Sequence, residues 1–505
     1  MLARLALATR FSPSPAAHQA CHATLFPGNC RDLSQSGRPV RLVARWKRPP
    51  RHEIYMSKRS RSRRKSDPDK TGVSELVSPN KDGSDVSLAP TRRKFIQGSG
   101  LILAGSAIAG AGLSPARAAH AIGSDTIKIG LVGCGWRGTA AAISTMNTAS
   151  SDTSANGVKL VAMADMFEHA VQTAYRTIKG RVAARDPADC DHVARFSGLD
   201  GFRGVIDSDA DLVILATPPV FRPDHFSLAV ESGKQVFMER PVAVDAAGVN
   251  QILEAGKVAQ SKGLSVAVGL QRRHDLRTME CVDAIHGGIL GDLQYAKAYW
   301  KGSTSPVQPQ RDKESQLEYE LRNWRHFRSH SGDLINEHQV QTLDLFNHIF
   351  GDHPAIACGQ GGLSPAVNGE EQGSGSGPDV FDHHAVEFTY PSGVSLFLQC
   401  QRQSLSQRHS KSLRVIEAVH GSKGVCDLVT GTIRDLSGKK IWQSSSNSSK
   451  GNGQQMQLDH FVKSLREGVQ VNELDYAAKS TLTAILGTVA SYRGDSVKWD
   501  DLGQS

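Results

Sequence analysis

Three glycines, Gly133, Gly135 and Gly138, stand in GxGxxG spacing within Gly133-Cys134-Gly135-Trp136-Arg137-Gly138. They follow the apolar run Ile127–Val132 and open the helical stretch Thr139–Met146. In that setting the first glycine permits a tight turn and the second lets backbone close on a pyrophosphate. The third allows close helix–strand packing. The helix start adds unpaired N–H groups and a partial positive charge for the phosphates. Asp165 ends the next β-rich run, Val158–Ala164. A carboxylate there accepts from ribose hydroxyls and repels a 2′-phosphate, which favours NAD over NADP; the alternative is a strand-end turn residue. The polar stretch Thr148–Gly157 reads as a loop insertion between these two features.

The elements around the loop alternate. Strands are expected at Ile127–Val132, Val158–Ala164, Leu212–Ala216, Gln235–Met238 and Ser265–Gly269, with helices at Thr139–Met146, Glu168–Ile178, Asp224–Ser232 and Ala246–Ser261. Apolar strands separated by helices predict a parallel α/β sheet covered on both faces, a Rossmann domain over residues 124–270. After Asp292 the pattern changes. Ala385–Tyr390 and Val394–Gln399 flank Pro391-Ser392-Gly393 as an antiparallel hairpin. Leu413–Val419 and Gly424–Leu428 read as further strands, and Leu334–Phe350, Leu458–Glu467 and Ala477–Tyr492 as helices. Residues 271–505 are therefore expected to form an α+β domain, with Gly369–Pro378 and Ser444–Gly453 as surface loops.

Charge is uneven along the 505 residues. Residues 1–118 hold 21 of the 59 basic and 7 of the 50 acidic side chains, so the remainder is net −5 and nucleic-acid binding loses its support. Thr91-Arg92-Arg93-Lys94-Phe95-Ile96 precedes the apolar run Leu101 to Leu113 and the small-x-small site Ala116-Arg117-Ala118. That order is a signal peptide's, and the arginine pair is similar to the twin-arginine signal of folded export. Residues 91–118 are thus expected to direct export to the periplasm, with the membrane met only in transit. Residues 1–90 read as a disordered leader whose early part is an over-called start before Met56. The eight cysteines form no CxxC or zinc spacing, and no metal constellation is expected.

From Thr126 to Leu502 the chain resembles the Gfo/Idh/MocA oxidoreductases. The resemblance rests on the glycine loop, Ala216-Thr217-Pro218-Pro219, Met238-Glu239-Arg240-Pro241, Gly269-Leu270-Gln271-Arg272-Arg273 and Leu343-Asp344-Leu345-Phe346-Asn347. It implies a C-terminal domain whose large open, mostly antiparallel sheet packs in homo-oligomers (dimers or tetramers), and a sugar, polyol or related carbonyl compound as substrate. It also implies that Thr217 and Pro218 line the cofactor near His225, that Glu239 bonds the nicotinamide-side ribose and that Gln271 lies near the nicotinamide. Arg272-Arg273 reads alternatively as a solvated charge pair.

Two catalytic positions depart from the family pattern. Its Glu-Lys-Pro lysine is here Arg240, which can stabilise an oxyanion but cannot act as a base. Its acidic residue and histidine fall at Glu337 and Gln341, on one helical face, and glutamine takes no proton from an alcohol. Glu337 with a pKa raised by burial is one expected substitute base. His338 is another, set about 100° around a regular helix from Glu337 and otherwise solvent-facing. His383-His384 is a third, read mainly as a surface pair. Trp300, Asn323 and Trp324 are candidates for a sugar face or for the core. Three functions remain open: net hydride transfer, a glycoside-modifying reaction on tightly bound NAD, and a binding protein that has lost catalysis.

Overall fold

A computed structural model describes residues 126–148, 157–182, 190–303, 306–364, 378–403, 415–446 and 453–504. The arginine pair, the leader and most of the two glycine/serine-rich loops lie outside them. Strand β1 (Ile127–Val132) is buried on both faces and sits mid-sheet, between β2 (Val158–Asp165) and β4 (Leu212–Leu215). With β3 (Ala194–Ser197), β5 (Gln235–Met238) and β6 (Val266–Val268) the order is β3-β2-β1-β4-β5-β6, all parallel. Strand order reverses between β1 and β4, which leaves a crevice beyond their carboxyl ends where open α/β sheets bind ligands.

Helices α1 (Trp136–Met146), α2 (Glu168–Val182), α3 (Gly201–Ile206), α4 (Arg222–Glu231) and α5 (Ala246–Ser261) make the crossovers. The Asp245 carboxylate caps α5 by accepting from Gly248 N at 2.7 Å. In contrast, α1 has Gly135 at its N-cap and no side-chain cap, so its first N–H groups stay free for a ligand.

Helix α6 (Leu276–His286) leads to the second sheet. Its strands are β7 (Leu293–Ser303), β8 (Ile356–Gly362), β9 (His383–Thr389), β10 (Ser395–Gln403), β11 (Val415–Gly421), β12 (Gly424–Asp427), β13 (Thr432–Asp435), β14 (Lys440–Gln443) and β15 (Ser496–Lys498). They follow the order β14-β13-β12-β11-β7-β10-β9-β8-β15, with β7–β10 parallel and the other pairs antiparallel. The expected hairpin is present; Gly393 at its turn has φ +83°. Leu396, Leu398 and Cys400 of β10 face inward with Val386 and Phe388 of β9, whereas Phe397 faces out at 42% exposure. Helix α7 (Gln316–Arg322) starts in a Ser315–Glu318 capping box. Helices α8 (Val340–Phe350) and α10 (Leu474–Arg493) cover the inner face. Gly487 of α10 makes room for Phe388, whose ring would lie 2.5 Å from an added Cβ.

The chain's end returns to the first sheet. Leu458, Phe461 and Val462 of α9 (Gly453–Glu467) join the core formed by Leu131, Leu160 and Phe237. Val266 N donates to Val471 O (2.7 Å) and Glu473 N to Val266 O (3.0 Å), so residues 471–473 close the edge of β6.

Arg272 and Arg273 are not a solvated pair. Arg273 binds Asp344 of α8 through two bonds, 2.8 and 2.9 Å, stacks over Tyr476 at 4.0 Å, and Ser480 Oγ donates to the same carboxylate. Arg272 reaches Glu417 of β11 at 2.5 Å, which also accepts from Thr342 Oγ1. The turn after β6 is thereby clamped to the second domain. Asp344 is fully buried, so Asp344→Ala strands an unpaired guanidinium and should cost on the order of 3–5 kcal/mol. The check is the melting temperature, where a drop within one degree of wild type refutes the clamp.

Candidate nucleotide and catalytic cleft

The glycine loop sits at the β1–β4 crevice. Gly133 has φ +98°, and a Cβ there would meet Ala216 C at 2.5 Å and Thr217 N at 2.6 Å. A Cβ on Gly138 would meet Gly133 O at 1.9 Å. Around Gly135 no atom lies within 4 Å of an added Cβ. The first and third glycines are therefore demanded by the protein's own packing. The second faces space at an uncapped helix start, as a bound diphosphate requires.

A cleft of about 280 Å³ opens beside the loop, bounded by Gly133, Gly135, Asp165, Thr217, Pro218 and His225. Asp165 Oδ2 accepts from Cys134 N at 2.7 Å and Oδ1 from Phe167 N at 3.0 Å. Burial raises its pKa, opposed by these two backbone donors. Each oxygen keeps a second lone pair for a ribose hydroxyl. Asp165 thus does the strand-end turn work and still faces the cleft. Cys134 turns its thiol inward, Sγ to Ala164 O at 3.3 Å. Trp136, 73% exposed, lines a separate groove between α1 and α2, so the structure does not bring its ring to the nucleotide cleft.

His225 is stacked against Phe202 with centroids 4.0 Å apart, and its Nδ1 lies 3.3 Å from Thr217 Oγ1. Its Nε2 is buried with no partner in a side chain that lines the cleft. An orphaned polar atom there fits a site completed by a polar ligand. Burial pushes this imidazole down to about 4.

Farther along, Arg137 Nε binds Glu239 Oε1 at 2.8 Å and its Nη2 reaches Gln271 Oε1 at 3.4 Å. The loop's arginine thereby joins the ends of β5 and β6, a link the sequence reading missed. Arg240 Nη1 donates to the Glu337 carbonyl, and its Nε is buried without a partner.

Glu337 and His338 lie in a π-turn, Ile335–Gln339, preceding α8. The wider turn breaks the regular helical offset, and His338 is not simply solvent-facing. Its ring stacks on Trp300 of β7 (centroids 4.8 Å), and Nε2 lies 2.8 Å from Glu337 Oε2. Arg325 Nε donates to Glu337 Oε1 at 3.2 Å. Burial alone would raise the Glu337 pKa, but His338, Arg325 and Arg240 outweigh it and hold the carboxyl well below its usual range. The expected raised-pKa base is thus corrected: Glu337 is a fixed carboxylate amid cations. Gln341 Oε1 is buried without a partner.

Other candidates settle into structural roles. His384 is buried, with Nε2 2.8 Å from Asp333 Oδ1 and Nδ1 2.8 Å from Ser491 Oγ, so it is no surface residue. Asp333 itself adopts φ +88°, held by His384, Tyr492 OH (2.5 Å) and Phe381 N, and fixes the start of the π-turn segment. Asn323 spends its amide on Gln308 and Tyr319 and is no sugar ligand. Among the described residues no group of three His, Cys, Asp or Glu is placed to hold a metal ion.

Residues 127–270 match the profile of the oxidoreductase family with an NAD-binding Rossmann fold, Gfo/Idh/MocA. These residues form the Rossmann-type parallel-sheet domain described above. The scyllo-inositol 2-dehydrogenase (NAD(+)) of Bacillus subtilis is 25% identical over 218 residues, 41% of this chain. This chain spans about half of that relative, 51% of its length. The inositol 2-dehydrogenase of Rhizobium meliloti is 23% identical over 304 residues, covering 59% of this chain and 74% of that protein. Levoglucosan dehydrogenase in complex with NADH and levoglucosan shares the fold at TM-score 0.56 and 16% identity, covering 74% of this chain and 99% of that one.

Gly135→Ala should leave melting of the nucleotide-free protein unchanged yet weaken NADH binding at least about tenfold, since its methyl enters the phosphate space. Equal affinity by fluorescence titration refutes that placement. His225 stays neutral down to about pH 4, whereas an unfolded histidine protonates near 6.5. Stability should therefore fall as pH drops from 6.5 to 4, by on the order of 3 kcal/mol from this group. Melting curves of His225→Gln should show a flatter acid limb.

Proposed function

We propose that this protein is an NAD-dependent oxidoreductase that interconverts a secondary alcohol and a carbonyl on a sugar or polyol. The observation that carries the reading is one continuous arrangement. The uncapped glycine-loop helix and its cleft hold the dinucleotide, and the Arg240–Glu337–His338 cluster is tied to its far end through Arg240, next to Glu239. The relatives support the substrate class, since they are named for inositols and levoglucosan.

Bound NAD would supply the acceptor or donor for the hydride on the alcohol carbon. The chain's residues do the rest. Glu239, fixed by Arg137, presents its remaining lone pairs to the nicotinamide-side ribose. Arg240 keeps its proton and donates to the substrate oxygen, stabilising developing negative charge. His338 takes the hydroxyl proton, and the adjacent Glu337 carboxylate stabilises the imidazolium, the service an acidic partner performs for a catalytic histidine. Gln341 offers its unpaired Oε1 to a neighbouring substrate hydroxyl. Export of the folded protein and assembly through the exposed outer face of the second sheet belong to the same proposal, supported by the arginine-pair leader and by the resemblance.

The test is absorbance at 340 nm with NAD and a panel of inositols, aldoses and anhydrosugars. Glu337→Gln and His338→Asn should each lower kcat by on the order of 100-fold, with NADH affinity within twofold of wild type. Undiminished turnover in either variant removes the assigned proton path.

A further inference from the structure

Past Leu215 and Met238, the last paired residues of β4 and β5, one more backbone bond joins the two strands, Glu239 N to Leu215 O at 2.9 Å. Beyond it the chains part, one into Thr217 on the cofactor cleft and the other into Arg240-Pro241. A single side chain spans the gap. Arg222 donates through Nη2 to Thr217 O at 2.8 Å and through Nη1 to Pro241 O. It is buried, 3% exposed, and does not itself bound the cleft. Burial works against its charge; Glu239 and Glu337 support that charge through space, and Arg240 and Arg325 oppose it. Its Nε has no partner. It also opens α4, at the end of a helix that disfavours a cation. A guanidinium buried there without a directly bound carboxylate is poorly explained by stability.

We infer that Arg222 is a positioning residue, whose guanidinium fixes the spacing between Thr217 on the cofactor side and Arg240-Pro241 on the substrate side. The inference rests on the NAD-dependent reading above and adds to it which residue aligns the two halves of the site. A guanidinium is planar and rigid, so two carbonyls held on its two Nη atoms keep a set separation; a lysine ammonium imposes none. Hydride transfer needs that separation, because misplacing the reacting atoms by an ångström costs on the order of 100-fold in rate. The same helix carries His225, whose Nδ1 lies 3.3 Å from Thr217 Oγ1, so α4 holds Thr217 at both its carbonyl and its hydroxyl. The segment after Pro241 is pinned independently by the second domain. Val242 N donates to Thr481 Oγ1 at 3.3 Å, and Asn336 Nδ2 donates to Ala243 O at 3.0 Å. Loss of Arg222 therefore loosens the span between the strand ends and leaves these domain contacts in place.

The full chain is compared as wild type, Arg222→Met and Arg222→Lys. NAD reduction is followed at 340 nm with the panel of inositols, aldoses and anhydrosugars. Bound NADH is followed by its own fluorescence, with ADP-ribose as the competing nucleotide that lacks nicotinamide. Arg222→Met should lower kcat at least about 30-fold with KM within about threefold. NADH bound to it should keep less than about half of the wild-type emission enhancement, with ADP-ribose affinity within about twofold, because only the nicotinamide end is loosened. Arg222→Lys, which keeps the charge and bonds one carbonyl at a time, should stay at least about tenfold below wild type in kcat. Full recovery with lysine overturns the span in favour of charge alone. Unchanged kcat and NADH emission in Arg222→Met overturn it too and leave NAD dependence intact. Should Arg222→Met fail to fold, Arg222→Lys makes the comparison. If wild type binds NADH but oxidises no sugar of the panel, the reaction is refuted, and the NADH emission of the variants still decides whether Arg222 positions Thr217. Failure of the wild-type chain to bind NADH overturns both.

Discussion

The arrangement depends on one buried ion pair, Arg273 with Asp344. Arg273 follows the last strand of the parallel sheet, and Asp344 lies on the helix that continues the π-turn. A bidentate pair fixes distance and orientation together, which a hydrophobic contact does not. Through it the end of the Rossmann crevice beyond β5 and β6 and the residues Glu337, His338 and Gln341 share one rigid frame. Arg272–Glu417, a single-bonded ion pair to β11, adds a second tie and resists rotation about the first pair.

Within that frame the chemistry is governed by charge balance. Arg137, Arg240 and Arg325 surround two carboxylates, Glu239 and Glu337, at low exposure. A histidine four residues on would have been a self-contained base. Here that position carries Gln341, and the imidazole in contact with Glu337 is that of its neighbour His338 in the π-turn. Irregular helical turns of this kind are frequent at functional sites because they re-aim single side chains.

The Rossmann half was legible because its central strands are continuous apolar runs, flanked by a glycine spacing with a backbone meaning. β3 escaped notice: it has four residues, none of them buried, at a sheet edge. β7 escaped for a different reason, since Gln294 and Lys297 interrupt its apolar residues although it pairs on both sides. The π-turn leaves no periodic mark, so His338 could be placed only by the packing of Trp300. Burial alone would raise the Glu337 carboxyl, but it is held low by its neighbour His338 first and then by Arg325 and Arg240, which arrive from 12 and 97 residues away. Arg272-Arg273 was open to a surface reading for the same reason: neither carboxylate partner is a sequence neighbour.

The parallel β7–β10 pair has a bearing on how the chain reaches its structure. β7 ends at Ser303, yet its neighbours begin at Ser395 and Val415, and the edge of β6 waits for residues 471–473. Loops of that length close slowly, and contacts so distant in sequence retard folding. During synthesis the middle of the second sheet stays an unpaired edge until nearly the whole chain is made, a condition that invites association between chains. Assembly of the second sheet therefore waits on segments that lie far apart in the chain.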